Sequence, residues 1–202
     1  LLDWIPRAHA ASINFSLTAL SGTRTQIDGV STYHFSFSDD GSVRNPGPIL
    51  VCQEGDNITV NLTNRLLTKV AFAVGGIGKR IEVLTGASVS LTFTAPAAGT
   101  YLYYDDLNGG VNRIMGLHGP LIVMPKGTKT QSFSNGPTFR RQYVWVFAEF
   151  DSNWSNLVRT NGDNYVAGGA LKSSGFTPRY FTINGTSYPN THDPNSTISG
   201  AY

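Results

Sequence analysis

The chain has little charge and almost no cysteine, and both shortages exclude classes of protein. Charged residues make up 14% of the 202 residues, below the roughly 25% typical of soluble domains. The formal net charge of +2 is too small to attract nucleic acid or an anionic membrane surface. We therefore expect no nucleic-acid partner.

Cys52 is the single cysteine, so no disulfide can form within the chain. One thiol also excludes zinc-ribbon and iron–sulfur spacings. Because Cys52 ends the apolar run of residues 49–52, we predict a buried thiol.

Long apolar runs are missing as well. No stretch approaches the roughly 20 apolar residues of a membrane-spanning helix. The chain starts at Leu1 instead of Met, as a processed or excised chain would. Six N-x-S/T sequons favour a secreted or cell-surface glycoprotein. Their asparagines are Asn14, Asn57, Asn61, Asn153, Asn184 and Asn195.

Glycine and alternating patterns are abundant. The 22 glycines and 10 prolines fit many short strands joined by turns. Residues 13–18, 58–62 and 89–93 alternate between apolar and polar side chains, as half-buried strands do. These patterns, with few helix signals, predict an all-β sandwich or barrel.

The predicted sandwich spans residues 12–125, and residues 126–202 form a linker and a second segment. This segment has apolar strands at residues 142–148 and 180–183. Residues 152–175 are polar and rich in glycine and asparagine, so we predict a surface excursion there.

Seven segments resemble the N-terminal part of multicopper oxidases. They are residues 45–49 (NPGPI), 54–56 (EGD), 60–65 (VNLTNR), 99–103 (GTYLY), 115–123 (MGLHGPLIV), 143–149 (YVWVFAE) and 178–185 (PRYFTING). The resemblance implies a Greek-key cupredoxin-like β-sandwich with a C-terminal β-rich extension.

The resemblance also implies two His-x-His pairs that bind a trinuclear copper centre. Alternation along a strand would direct both members of a pair to one face. This sequence has Ala73 and Gly75 at the first pair and Tyr104 and Asp106 at the second. Alanine and glycine offer no donor, and hard oxygens suit copper poorly. We therefore expect no metal site, no catalytic residues and no cofactor.

The remaining cysteine, histidine and aspartate residues give no pattern that predicts a catalytic or copper site. Cys52 has no neighbouring histidine in sequence, which a blue copper site would need. We predict a hydrogen-bonded structural role for His118 and solvated positions for His9, His34 and His192. The adjacent pair Asp105 and Asp106 would point to opposite faces of a strand. We predict a solvent-facing turn there, with a weak Ca²⁺ site as the alternative.

Because it is too short for another complete sandwich, the segment 126–202 is predicted to be a linker and a partial second cupredoxin-like segment, or an assembly extension. It carries Trp145, Phe147 and Phe181, and burying each such side chain is worth about 1.5–3 kcal/mol. The segment can pack back on the sandwich or pair with a neighbouring chain. Alternatively, the chain is a piece of a longer enzyme.

These observations favour a noncatalytic extracellular protein with a structural or assembly role. We expect it to self-associate, or to bind a partner chain, through its C-terminal segment. Polymerisation by strand exchange is one form that this association could take. The alternative is a fragment or subunit of a copper-dependent multicopper oxidase. A third interpretation is a ligand- or glycan-binding module that uses Tyr101, Tyr103 and Tyr104.

Overall fold

A computed structural model describes residues 10–192 of the chain. The strands within these residues are β1 (Ser12–Thr25), β2 (Ser31–Ser38), β3 (Leu50–Gln53), β4 (Asn57–Asn64), β5 (Val70–Val74), β6 (Lys79–Val83), β7 (Ser88–Thr94), β8 (Gly99–Tyr104), β9 (His118–Met124), β10 (Phe147–Phe150) and β11 (Tyr180–Ile183). The α-helices are α1 (Val111–Ile114) and α2 (Ser152–Asn161). Neither helix combines the length and apolarity needed to cross a bilayer, and no other described helix does.

Two sheets form the sandwich, which confirms the predicted all-β cupredoxin-like fold. One sheet has the strand order β2-β1-β4-β7 and the other β3-β9-β8-β5-β6. The β1–β4 and β3–β9 pairs are parallel, and the other neighbours are antiparallel. Such neighbours, distant in sequence, are expected of Greek-key connections.

The core lies between the two sheets. Alternation in β4 buries Ile58, Val60 and Leu62 completely, as the sequence pattern predicts. The Phe72 and Tyr103 rings stack at the centre with centroids 5.2 Å apart. The Tyr103 hydroxyl donates a hydrogen bond of 2.7 Å to the carbonyl of Pro48, so its burial leaves no unpaired polar group.

A small antiparallel sheet follows the sandwich. It pairs β10 with β11, placing Phe147 opposite Ile183 and Phe150 opposite Tyr180. The Asn184 side chain holds the residues just before β10. It accepts a hydrogen bond from the backbone N–H of Val146 and donates one to the backbone carbonyl of Val144. The sheet therefore starts later than the predicted strand at residues 142–148.

The predicted surface excursion at residues 152–175 is wrong. Instead, α2 begins there and buries Trp154 and Val158, and the following turns bury Val166 and Leu171. All four side chains join the same hydrophobic cluster as the sandwich core. The polar composition of these residues led to the prediction of a surface excursion. The i, i+4 spacing of Trp154 and Val158 is nevertheless typical of the buried face of a helix. The division at residues 125 and 126 stays a prediction.

Candidate functional site

Three of the four positions where the resemblance places histidines lie close together on or next to two neighbouring strands of the five-stranded sheet, β5 and β8. Ala73 on β5 is the register partner of Tyr104 on β8. Gly75 follows β5, and a Cβ atom there would lie 3.4 Å from the Tyr104 ring. Asp106 follows β8. The geometry therefore brings Ala73, Gly75 and Tyr104 together, and Asp106 is linked to them through Arg80, the register partner of Ala73.

Ordinary protein contacts occupy this cluster. The Asp106 carboxylate accepts hydrogen bonds of 2.7 and 3.0 Å from Nε of Arg80. Asp106, followed by Glu82, raises the pKa of the Arg80 guanidinium. The Arg113 guanidinium lies over the Tyr104 ring, 5.2 Å from its centroid. The one carboxylate of the cluster is thus already paired with a cation.

The donors of this cluster do not fit a copper centre. They are one phenol and one paired carboxylate, whereas copper sites in proteins use imidazole, thiolate and thioether groups. Over residues 10–192, no group of three or more histidine, cysteine, aspartate or glutamate side chains is placed to hold a metal ion.

Asp105 is buried, which makes the predicted solvent-facing turn wrong at this residue. It is 0% exposed and accepts from the backbone N–H groups of Ala71 and Leu107 at 2.8 and 2.7 Å. The Asn112 amide donates a third hydrogen bond of 3.0 Å. Burial raises the pKa of Asp105. The Asp105 carboxylate is buried because the turn after β8 presents N–H donors that need an acceptor. Asp106, by contrast, faces solvent as predicted.

His34 is also buried, contrary to the prediction of a solvated side chain. It is 2% exposed, and its ring meets that of Phe150 edge-on at 4.5 Å. The burial comes from the later segment, which packs over β2. Desolvation, helped by the charge of Arg24, lowers the pKa of His34 to about 4.

The other single residues follow their predictions where they are described. Cys52 is a buried thiol, and His192 is exposed. His118 is 8% exposed, and its Nδ1 lies 3.1 Å from the carbonyl oxygen of Arg113. Since a carbonyl only accepts, Nδ1 carries the proton and Nε2 is free of it. Burial lowers the pKa of His118. His9 lies outside the described residues.

A groove of about 460 Å³ opens beside Tyr104, one of the positions where the resemblance places a histidine. Leu102 of β8 and His118 of β9 line it, together with Arg113 of α1. Phe147 of β10 and Phe181 of β11 line the groove as well. These residues come from segments far apart in sequence, so no local motif could have revealed the groove.

The three tyrosines of the glycan-binding interpretation do not form one surface. Tyr103 is completely buried in the core, while Tyr101 and Tyr104 are half-buried. Alternation along β8 explains the difference, because successive side chains point to opposite faces.

The sequons differ in exposure. Asn14, Asn57 and Asn153 are exposed, and Asn61 and Asn184 are half-buried. Asn195 lies outside the described residues. Glycosylation of these sites stays a prediction.

Residues 41–128 match the multicopper oxidase family. The chain is 36% identical over 146 residues to the copper-containing nitrite reductase of Alcaligenes xylosoxydans xylosoxydans, covering 64% of this chain and 43% of that protein. It is 32% identical over 102 residues to the L-ascorbate oxidase of Cucumis sativus, covering 44% of this chain and 17% of that protein. The chain thus spans less than half the length of these relatives, and the predicted resemblance is confirmed.

Solved structures agree on the fold. A blue copper oxidase from Nitrosomonas europaea superposes with a TM-score of 0.69 at 24% identity, over 88% of this chain and 55% of that one. A copper nitrite reductase from Nitrosomonas europaea gives a TM-score of 0.65 at 21% identity, over 90% and 60%.

These comparisons overturn the expectation that the protein has no cofactor. Two of the relatives are named as copper-containing nitrite reductases, and the matched family is that of multicopper oxidases. The relationship therefore points to copper. The expectation failed because it was drawn from four positions of a chain that spans only part of its relatives.

Proposed function

We propose that this chain, whose residues 41–128 match the multicopper oxidase family, forms part of a copper-dependent oxidase. The observation that supports this most directly is the alignment of 64% of the chain with a copper-containing nitrite reductase. The described residues do not fit a copper centre, so we place the copper on residues outside them.

In this proposal the sandwich acts as a scaffold. Ala73 and Gly75 leave no side chain that reaches a metal, and Arg80 neutralises Asp106. A domain of this kind still contributes a rigid surface against which other copper-binding residues can be held.

Metal analysis of the protein isolated from its natural source tests the proposal. We expect stoichiometric copper, and oxygen uptake coupled to oxidation of a phenolic substrate. The matched variants Tyr104→Phe and Asp106→Asn should keep the copper content unchanged, because these side chains are not ligands. Native protein without copper contradicts the oxidase proposal, and loss of copper in either variant contradicts the scaffold role.

A second candidate is a noncatalytic extracellular structural or assembly protein. One observation favours it: an aromatic stripe faces solvent, with Tyr143, Trp145, Phe147 and Phe181 exposed by 44, 55, 70 and 60%. The two-stranded sheet of β10 and β11 also has unpaired edges among the described residues. Open edges and apolar faces favour strand addition from another chain.

The mass of the purified chain, measured by sedimentation over a wide concentration range, tests this candidate. Assembly through the stripe predicts oligomers that the double variant Trp145→Ser, Phe147→Ser converts to monomers. Leu67→Ser is a matched control, because Leu67 is 65% exposed but lies on the sandwich. A monomer at all concentrations contradicts the assembly role.

We also propose an extracellular or cell-surface location. The exposed sequons at Asn14, Asn57 and Asn153 support it, since N-glycans are added during export. A mass shift on treatment of the native protein with an N-glycosidase is expected, and an unmodified native protein would speak against export.

A further inference from the structure

The groove has the size and lining of a small-molecule site. Its volume of about 460 Å³ lies within the roughly 300–1,000 Å³ of ligand pockets, which are mostly apolar with a few polar groups. Leu102, Phe147 and Phe181 supply apolar wall. The side chains of Phe147 and Phe181 are 70 and 60% exposed, so an aromatic ligand could pack on their rings.

Arg113 provides an anchored positive charge at the groove wall. Its guanidinium is held over the Tyr104 ring. The ion pairs of the described residues involve other cations, those of Arg44, Lys69 and Arg80. An arginine that is positioned by a ring, and that has no carboxylate partner within residues 10–192, can offer its N–H fork to a planar anion.

The other two titratable groups define the charge that the groove accepts. His118 is buried with a lowered pKa, so it adds no charge at neutral pH. Glu149 lines the β10 wall and opposes an anion placed close to it. A ligand with one negative end near Arg113 and an uncharged body elsewhere fits this distribution.

We propose that the groove binds a small aromatic carboxylate, with its carboxylate on Arg113 and its ring against Phe147 and Phe181. This inference goes beyond the proposed function and does not depend on copper, because every group in it belongs to the described residues.

Titration of the ¹⁵N-labelled chain with 3-phenylpropionate tests the site by NMR. Its neutral analogue 3-phenylpropionamide has the same ring and nearly the same size. We expect saturable shifts at backbone amides that line the groove, such as those of Leu102, Ile114 and Phe181. The carboxylate should bind about fivefold more tightly than the amide, as one solvent-accessible charged contact allows.

Two variants with opposite expected effects sharpen the test. Arg113→Gln should weaken binding of the carboxylate about fivefold and leave that of the amide unchanged. Glu149→Gln should tighten carboxylate binding about twofold, because it removes a like charge. Arg65→Gln removes a positive charge next to β4, in the other sheet, and should change neither affinity.

Four results would overturn the proposal. They are equal affinity for the carboxylate and the amide, tighter binding of the cationic 3-phenylpropylamine, shifts that map outside the groove, and equal losses in Arg113→Gln and Arg65→Gln. The ¹⁵N spectrum of each variant shows directly whether the chain is still folded.

Discussion

His34 makes the stability of the fold depend on pH. Its Nε2 lies 2.6 Å from the Thr32 hydroxyl, and its pKa is lowered to about 4. In the unfolded chain a histidine titrates near pH 6.5. The contribution of His34 to the free energy of unfolding is therefore fully present above about pH 6.5. It is lost as the pH falls towards about 4, because the unfolded state binds the proton first.

The first prediction follows from that sign. When the pH is lowered from 7 to 5, the buried neutral His34 should reduce the free energy of unfolding by about 2 kcal/mol. Urea unfolding at the two pH values measures this loss. His34→Gln should show a pH dependence smaller by about the same amount, with a remainder of the same sign from His118, whose pKa is also lowered. Equal pH dependence in both proteins would show that His34 does not carry the effect.

At the scale of single elements, Asp151 fixes the start of α2. Its carboxylate accepts from the backbone N–H groups of Asn153 and Trp154 at 2.7 and 3.4 Å. It also accepts from the backbone N–H of Thr177 at 2.8 Å. One side chain thus caps the helix and ties it to the approach to β11.

The second prediction is that Asp151→Ala lowers the free energy of unfolding by about 3 kcal/mol. The loss of the cap accounts for about 1 kcal/mol, and the Thr177 N–H left without its acceptor for most of the rest. Urea unfolding followed by tryptophan fluorescence measures the change. Asn156→Ala, on the exposed side of the same helix, should change stability by less than about 0.5 kcal/mol. Similar losses in both variants would contradict the capping role.

The sequence predicts some elements well because their signal is local. Alternation such as Ile58-Val60-Leu62 predicts β4 without knowledge of its neighbours. The resemblance also locates the cluster of Ala73 and Tyr104, whose register pairing the structure shows. Burial of His34 cannot be read in this way, because it depends on Phe150, more than a hundred residues later. The groove depends on the same long-range packing.

At the scale of the whole molecule, one carboxylate joins the later segment to the sandwich. Asp163 accepts from the Tyr33 hydroxyl at 2.6 Å and from the Ser21 hydroxyl at 3.3 Å. The backbone N–H of Leu67 donates to it at 3.3 Å. Desolvation and then the hydrogen bond to Asp163 raise the pKa of Tyr33 to about 12. Three parts of the sandwich therefore meet one side chain of the later segment.

The third prediction concerns this junction. Asp163→Ala leaves donors of the sandwich without their acceptor, at a cost of about 1–3 kcal/mol, and we expect local opening of residues 152–171. Hydrogen exchange should accelerate about 10- to 100-fold there, while β4 and β8 keep their protection, because segments with fewer buried contacts open below the global free energy. Asp106→Ala, which removes a carboxylate at the other sheet, should leave exchange in residues 152–171 unchanged. If Asp163→Ala instead accelerates exchange in β4 and β8 as much as in α2, the sandwich and the later segment unfold as one cooperative unit.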